Sequence, residues 1–215
     1  MKSLIEYINE AKDKEGHGSE KHGVMTFGRM NPPTAGHEKV VNKVHEIAKK
    51  HGASHDVVLS GSHDTTPKEK KANKNPLSPE SKGKHAKNAF PGTNIVVAKK
   101  GETMLHHAAK MHAAGVEHLH MVVGSDREKA THDLLHQYNN VPSKHGHYNF
   151  KSITVHSSGE RDPDDEGVSG ISASKMRAHA ANGNKDEFHK NLPSNMKPQH
   201  KEALYNDLRK SMGHK

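Results

Sequence analysis

The chain has no cysteine and no tryptophan, and aromatic residues occupy only 4% of its 215 positions. Without cysteine there is no disulfide, no thiolate nucleophile and no zinc–thiolate centre. So few aromatics leave little to stack on bases, which argues against a nucleic-acid reader. No run approaches the ~18–20 apolar residues of a transmembrane helix. The opening stretch, MKSLIEYINEAKDKE, carries acids and no apolar core, unlike a secretory signal. Leu, Ile, Val and Phe together number 34 of 215, below the ~20% line where disorder becomes a live reading. Disorder also needs a high net charge, and +8 over this length is small. The apolar residues moreover bunch at 57–59, 95–98 and 119–123, as buried strands require. The composition therefore describes one lean globular domain with polar insertions. Its basic balance favours anionic partners such as nucleotides and phosphates.

Along the chain, Leu4, Ile5, Ile8 and Ala11 recur at helical spacing, so residues 1–12 read as a short amphipathic helix. Residues 13–22 read as a polar linker, 23–192 as the main domain and 193–215 as a helical extension. Within the domain, strands are expected at 23–27, 55–60, 93–98, 117–123 and 151–156. Helices are expected at 36–50, 78–88, 102–114, 125–137 and 172–181, with one or two short ones beyond. Residues 61–76, Lys-rich with Pro67 and Pro76, predict a mobile loop. Residues 159–170 predict an acidic loop. This alternation predicts an α/β, Rossmann-like three-layer domain: a parallel sheet of about five strands with helices on both faces. Ligands of such sheets bind at the carboxyl ends of the strands, so the turns after Phe27, Ser60, Ala98 and Val123 are the places to look.

The first such turn reads Gly28-Arg29-Met30-Asn31-Pro32-Pro33-Thr34-Ala35-Gly36-His37 and runs into a helix. Gly28 permits close approach of a ligand to the backbone, and the prolines hold a rigid turn. Gly36 and His37 open a helix whose N–H groups and dipole favour an anion. A capped helix start with a surface histidine is the plainer alternative. A second segment, Ile171-Ser172-Ala173-Ser174-Lys175-Met176-Arg177, also opens a helix. Ser172 can cap it, and Arg177 lies one turn beyond Ser174 on the same face. Arginine suits a polyphosphate because its donors are forked. An ordinary capped helix with a solvated arginine is the competing reading.

Together the two segments resemble the nucleotidylyltransferase superfamily of HIGH-motif enzymes, with its T/H-x-G-H and I-S-x-T/S-x-x-R motifs. The longer pattern G-R-x-N-P-x-T-x-G-H is similar to the adenylyltransferase branch, particularly the nicotinamide-nucleotide enzymes. Thr34 stands where those enzymes usually carry His, and phosphopantetheine adenylyltransferases carry Thr. The resemblance implies AMP transfer from ATP to a phosphorylated small molecule such as nicotinamide mononucleotide, with release of pyrophosphate. It implies a magnesium ion held mostly by phosphates and water. His37, Thr34 and Arg177 would be catalytic. Phe27, Gly28, Arg29, Asn31, Gly36, Gly124, Asp126, Ile171, Ser172 and Ser174 would bind nucleotide and phosphate. A cytidylyltransferase acting on a sugar or alcohol phosphate, and a non-catalytic nucleotide-binding head protein, are the alternatives. No protein metal ligand, membrane contact or nucleic acid is expected.

Several segments fit less specifically. Val123-Gly124-Ser125-Asp126 resembles a G-x-D turn, where Asp126 takes a ribose hydroxyl or caps a helix. Asn75-Pro76-Leu77-Ser78 borders an acceptor or forms a plain loop. His118 with His120, and His145 with His147, have spacings that can bind a metal. Among 22 histidines such pairs arise by chance, which is the favoured reading. The lysines at 68–74 read as a solvated loop. The first residues resemble the leader of internal head proteins of tailed bacteriophages. That implies cleavage after Ile8-Asn9-Glu10, a capsid contact through residues 1–12, and a place in the host cytoplasm or the virion. A helix docked on its own domain is the competing expectation.

Overall fold

The computed structural model describes residues 20–159 and 172–214. The leader reading at 1–12, most of the linker, the acidic loop at 160–170 and Ile171 lie outside the described residues.

Five strands form one sheet: β1 (His22–Gly28), β2 (Ser54–Leu59), β3 (Ile95–Val97), β4 (His118–Val123) and β5 (Ser152–Ser157). All neighbouring pairs are parallel, and the order is β3-β2-β1-β4-β5. The helices are α1 (Ala35–His51), α2 (Pro67–Ala72), α3 (Pro79–Ala89), α4 (Met104–Ala113), α5 (Glu128–Gln137), α6 (Ala173–Ala181), α7 (Lys185–Lys190) and α8 (Pro198–Ser211). This is a Rossmann-like three-layer α/β fold. No helix among the described residues is long and apolar enough to cross a membrane.

Alternation along each strand splits the core in two. Val24 and Val122 face one side, where α1, α3, α6, α7 and α8 pack. Met25, Leu119, Met121 and Val123 face the other, against α4 and α5. The segment read as a C-terminal extension belongs to the first core: Met196, Leu204, Tyr205 and Leu208 pack there with Val41 and Val44 of α1. Buried His85 of α3 also meets Asp207 of α8 at 2.8 Å.

Two expectations are corrected. Residues 61–76 are not all loop, because α2 forms inside them. Thr66 caps it with a reciprocal Glu69 contact, and Pro67 occupies the first helical position, where a missing N–H costs nothing. The helix expected from residue 125 starts as a single 3-10 turn (Ser125–Arg127) and becomes α-helical at Glu128.

The chain leaves β1 toward β2 and β3, then crosses to β4 on the other side of β1. The switch point lies between the carboxyl ends of β1 and β4, where open α/β sheets bind ligands.

Candidate functional site

A cavity of about 250 Å³ opens at that switch point. The end of β1 and its turn supply Phe27, Gly28, Arg29 and Asn31 to its wall. The start of α1 supplies Thr34, Gly36 and His37, and the end of β4 supplies Gly124 and Asp126. The start of α6 supplies Ser172, Ser174 and Arg177. Twelve of the thirteen residues named from sequence thus line one space, and Ile171 is outside the described residues.

The start of α1 is a reciprocal cap. The Thr34 backbone N–H donates to Nδ1 of His37 at 3.1 Å, and the His37 N–H donates to Oγ1 of Thr34 at 3.4 Å. The Thr34 hydroxyl lies 2.9 Å from the same Nδ1. Because Nδ1 accepts, a neutral His37 carries its proton on Nε2. The ring is thereby fixed as a hydrogen-bond donor, not as a base acting through Nδ1. The Ala35 N–H is taken by the Asn191 carbonyl at 3.0 Å. Among the described residues no group takes the Gly36 N–H, which lies at the cavity wall.

Arg177 joins the two motifs across 146 residues of sequence. Its Nη1 donates to the Asn31 carbonyl and its Nη2 to Oγ of Ser174, both at 2.9 Å. The solvated-arginine reading is therefore excluded. Ser172 does cap α6, its Oγ accepting from the Lys175 N–H at 3.1 Å. Asn31 is 1% exposed, and its amide is spent on structure. Nδ2 donates to the Leu77 carbonyl at 3.1 Å and Oδ1 accepts from the Leu77 N–H at 3.2 Å. Asn31 therefore shapes the cavity and holds Arg177 through its backbone. The Asn75–Ser78 segment is a strut, because Asn75 in turn donates to both carboxylate oxygens of Asp64.

The two glycines differ. A Cβ on Gly28 would meet nothing within 4 Å, which leaves room for a ligand beside the backbone. A Cβ on Gly124 would come within 2.9 Å of the Asp126 carboxylate. Gly124 thus lets Asp126 fold back over the strand end. Met30, between Gly28 and Asn31, has φ 41°, a left-handed conformation that is strained for a residue with a side chain.

Cations crowd behind the cavity. Burial, then the neighbouring Arg29, hold Arg177 below the usual arginine range, and Asp64 opposes them. Lys82 is fully buried and donates to the carbonyls of Ser60 at 2.6 Å and Ser62 at 2.9 Å. Burial and Arg29 push it down to about 8, again against Asp64. The Asp64 carboxylate thus acts on both Lys82 and Arg177, against the added charge of Arg29, a balance that an added anion would improve.

Sequence reasoning missed Lys82, and also the wall residues Lys39, Lys74, Arg127 and Ser158. A signal existed for Lys82: with Ala86 and Ala89 it makes an i, i+4, i+7 stripe, the face a helix buries. Nothing local marks Lys74, which reaches the wall from just beyond the Asn73 cap of α2.

The histidine pairs separate. His145 meets His106, and His147 lies beside Asn140 and His112. His118 and His120 instead join histidines from β1, β5 and α1 at the opposite end of the sheet.

In sequence comparisons the chain matches no protein-family model and no curated protein.

Proposed function

We propose that this chain is a nucleotidylyltransferase. It would transfer a nucleoside monophosphate, AMP from ATP, to a phosphorylated small molecule and release pyrophosphate. The carrying observation is the convergence on one cavity of the Thr34–His37 cap, the Ser174–Arg177 pair and Arg29, at the switch point of a parallel sheet. Such a cavity presents fixed donors and positive charge to a polyphosphate.

In this reading a phosphate oxygen of the acceptor attacks the α-phosphorus in line. A new P–O bond forms as the bond to the β-phosphate oxygen breaks, and pyrophosphate leaves. Positioning and charge neutralisation carry such a reaction. His37, as an Nε2–H donor, and the N–H of Gly36 stabilise charge developing on the transferred group. Thr34 keeps the imidazole in the donor tautomer. Arg29, Ser174 and Arg177 hold the outer phosphates, and Ser172 fixes the helix that presents them. Asp126 takes a ribose hydroxyl.

The magnesium ion that such chemistry employs fits these residues only as a passenger of the nucleotide. Asp126 is the one carboxylate among the described residues of the wall, so phosphates and water would supply most ligands. The ion would offset phosphate charge.

The test is pyrophosphate release from ATP with nicotinamide mononucleotide as acceptor, with CTP and sugar or alcohol phosphates in parallel. Product with ATP supports the reading, and preference for CTP moves it to the cytidylyl branch. Binding of ATP by calorimetry without turnover on any acceptor favours a non-catalytic nucleotide binder. Failure to bind either nucleotide overturns it.

A further inference from the structure

We propose that His22, His51 and His120 form a binding site for a zinc-class divalent metal ion at the amino end of the sheet. The proposal is independent of the nucleotide cavity. His51, near the far end of α1, is fourteen residues from His37, about 21 Å along a helix.

The site is made by register. His22 pairs with His118 across β1 and β4, and Val24 pairs with His120. Because side chains alternate, His22, His118 and His120 all point to the face covered by α1. His51, the last residue of α1, closes over them. Its ring centroid lies 4.6 Å from that of His22 and 4.4 Å from that of His120. One ring nitrogen from each of His22, His51 and His120 can be chosen so that all lie within 4.8 Å of one another. Zinc binds imidazole at about 2.0–2.1 Å, which places two tetrahedral ligands roughly 3.3 Å apart. Nδ1 of His22 and Nε2 of His120 are already 3.0 Å apart. Small ring rotations close the remaining separations.

The next layer of contacts has the form a metal ligand needs. Nδ1 of His120 lies 3.0 Å from Nε2 of His156. A proton on Nδ1 donated to His156 leaves Nε2 of His120 with its lone pair toward His22 and His51. Ligating histidines commonly use their second nitrogen in this way. In the metal-free protein a single N–H bridges His22 and His120. Moving the His22 proton to its other nitrogen frees the second lone pair, and no charge changes.

His120 is 6% exposed, and the rings of His22, His51 and His156 pack around it. Soft thiolate selection is absent, and an all-imidazole set suits zinc, nickel and cobalt.

The experiment uses the full chain, free of any histidine tag and stripped with a chelator. Co²⁺ is titrated and followed by its visible absorption, then displaced with Zn²⁺, and thermal unfolding is recorded with and without Zn²⁺. The expected result is one equivalent bound at least tenfold more tightly than any other ion taken up, with a higher Tm in Zn²⁺. His51→Ala and His22→Gln, both at the accessible rim, should each lose that tight equivalent, and His106→Ala should keep it. A buried-site variant, His120→Ala, is added only where its far-ultraviolet spectrum matches the parent. If His51→Ala and His22→Gln bind like the parent, or if no equivalent is distinguished from weak surface binding, the proposal is overturned.

Discussion

Two helices in this protein begin with the same local device. Thr34 and His37 open α1, and Thr103 and His106 open α4. In each, the threonine N–H donates to Nδ1 of the histidine at 3.1 Å. The hydroxyl lies 2.9 Å from that nitrogen in α1 and 3.1 Å in α4. Their surroundings differ. Between the cap and the histidine, α1 has Gly36, while α4 has Leu105, which is buried in the core. The start of α1 lies beside the central strand at the switch point and faces Arg29 and Arg177. The start of α4 follows edge strand β3 and brings its own anion, Glu102. That carboxylate accepts from the Lys99 N–H at 2.9 Å and from Nζ of Lys110 at 2.8 Å.

A threonine-to-histidine cap is therefore a structural device that chemistry can borrow. At α4 the anion preference of a helix start is met from within the chain. At α1 Glu38 is turned away to Ser194, and the cavity wall is cationic. In the proposed reading, the anion that the start of α1 receives is the nucleotide's phosphate. On that reading one motif has two roles, decided by what stands around it.

The largest effect should separate the two histidines. His37→Ala should lower the rate of pyrophosphate release roughly 10²–10³-fold, the usual cost of one transition-state donor. His106→Ala should leave that rate within about twofold. Both should lose stability by a similar amount, about 1 kcal/mol for one net hydrogen bond. Rate assays and urea unfolding on both variants check this. Equal rate losses would end the distinction between the two caps.

A smaller effect is expected at Arg177. A hydrogen bond to a charged group contributes about 1.5–3 kcal/mol, so Arg177→Ala should weaken ATP binding about ten- to a hundredfold. Lys110→Ala, which removes the cation paired with Glu102 from the last turn of α4, should leave ATP affinity unchanged. Calorimetry at fixed ionic strength measures both. An unchanged affinity in Arg177→Ala would remove the second motif from the site.

Local pattern carried much of this architecture. Strands bounded by glycine and helices with an apolar stripe, such as Val41, Val44 and Ile47, are legible because their periods are local. The α1 and α6 starts are legible for the same reason. What pattern did not carry is long-range register. The chance reading of His118 and His120 weighs one strand alone. It has no access to His22, ninety-six residues before His118, or to His51 and His156. The Lys82 and Asn31 contacts are illegible for a similar reason, because each ties a side chain to backbone far away in sequence. Helix α2 was misread for a local reason: Pro67 is a breaker inside a helix but a good first residue.

The smallest expected effect tests the internal anion of α4 by pH. The hydrogen bond from Lys110, then that from the Lys99 N–H, hold the Glu102 carboxyl down at about 2. In the unfolded chain it titrates near 4.5. Between those values the unfolded state binds more protons, so acid favours unfolding. The contribution of Glu102 is therefore complete above about pH 4.5 and is lost as pH falls through about 2. Lys110 is 56% exposed, so water screens the pair, and the contribution should stay within about 1 kcal/mol. Glu102→Gln keeps an oxygen for the Lys99 N–H but removes the titration. Urea unfolding of the parent and the variant at pH 7, 4 and near 2 should show a difference that shrinks toward zero in acid. A difference that holds constant across that range would mean that Glu102 acts by shape alone. The start of α4 would then have no internal anion, and its contrast with α1 would rest on Leu105 and position in the sheet.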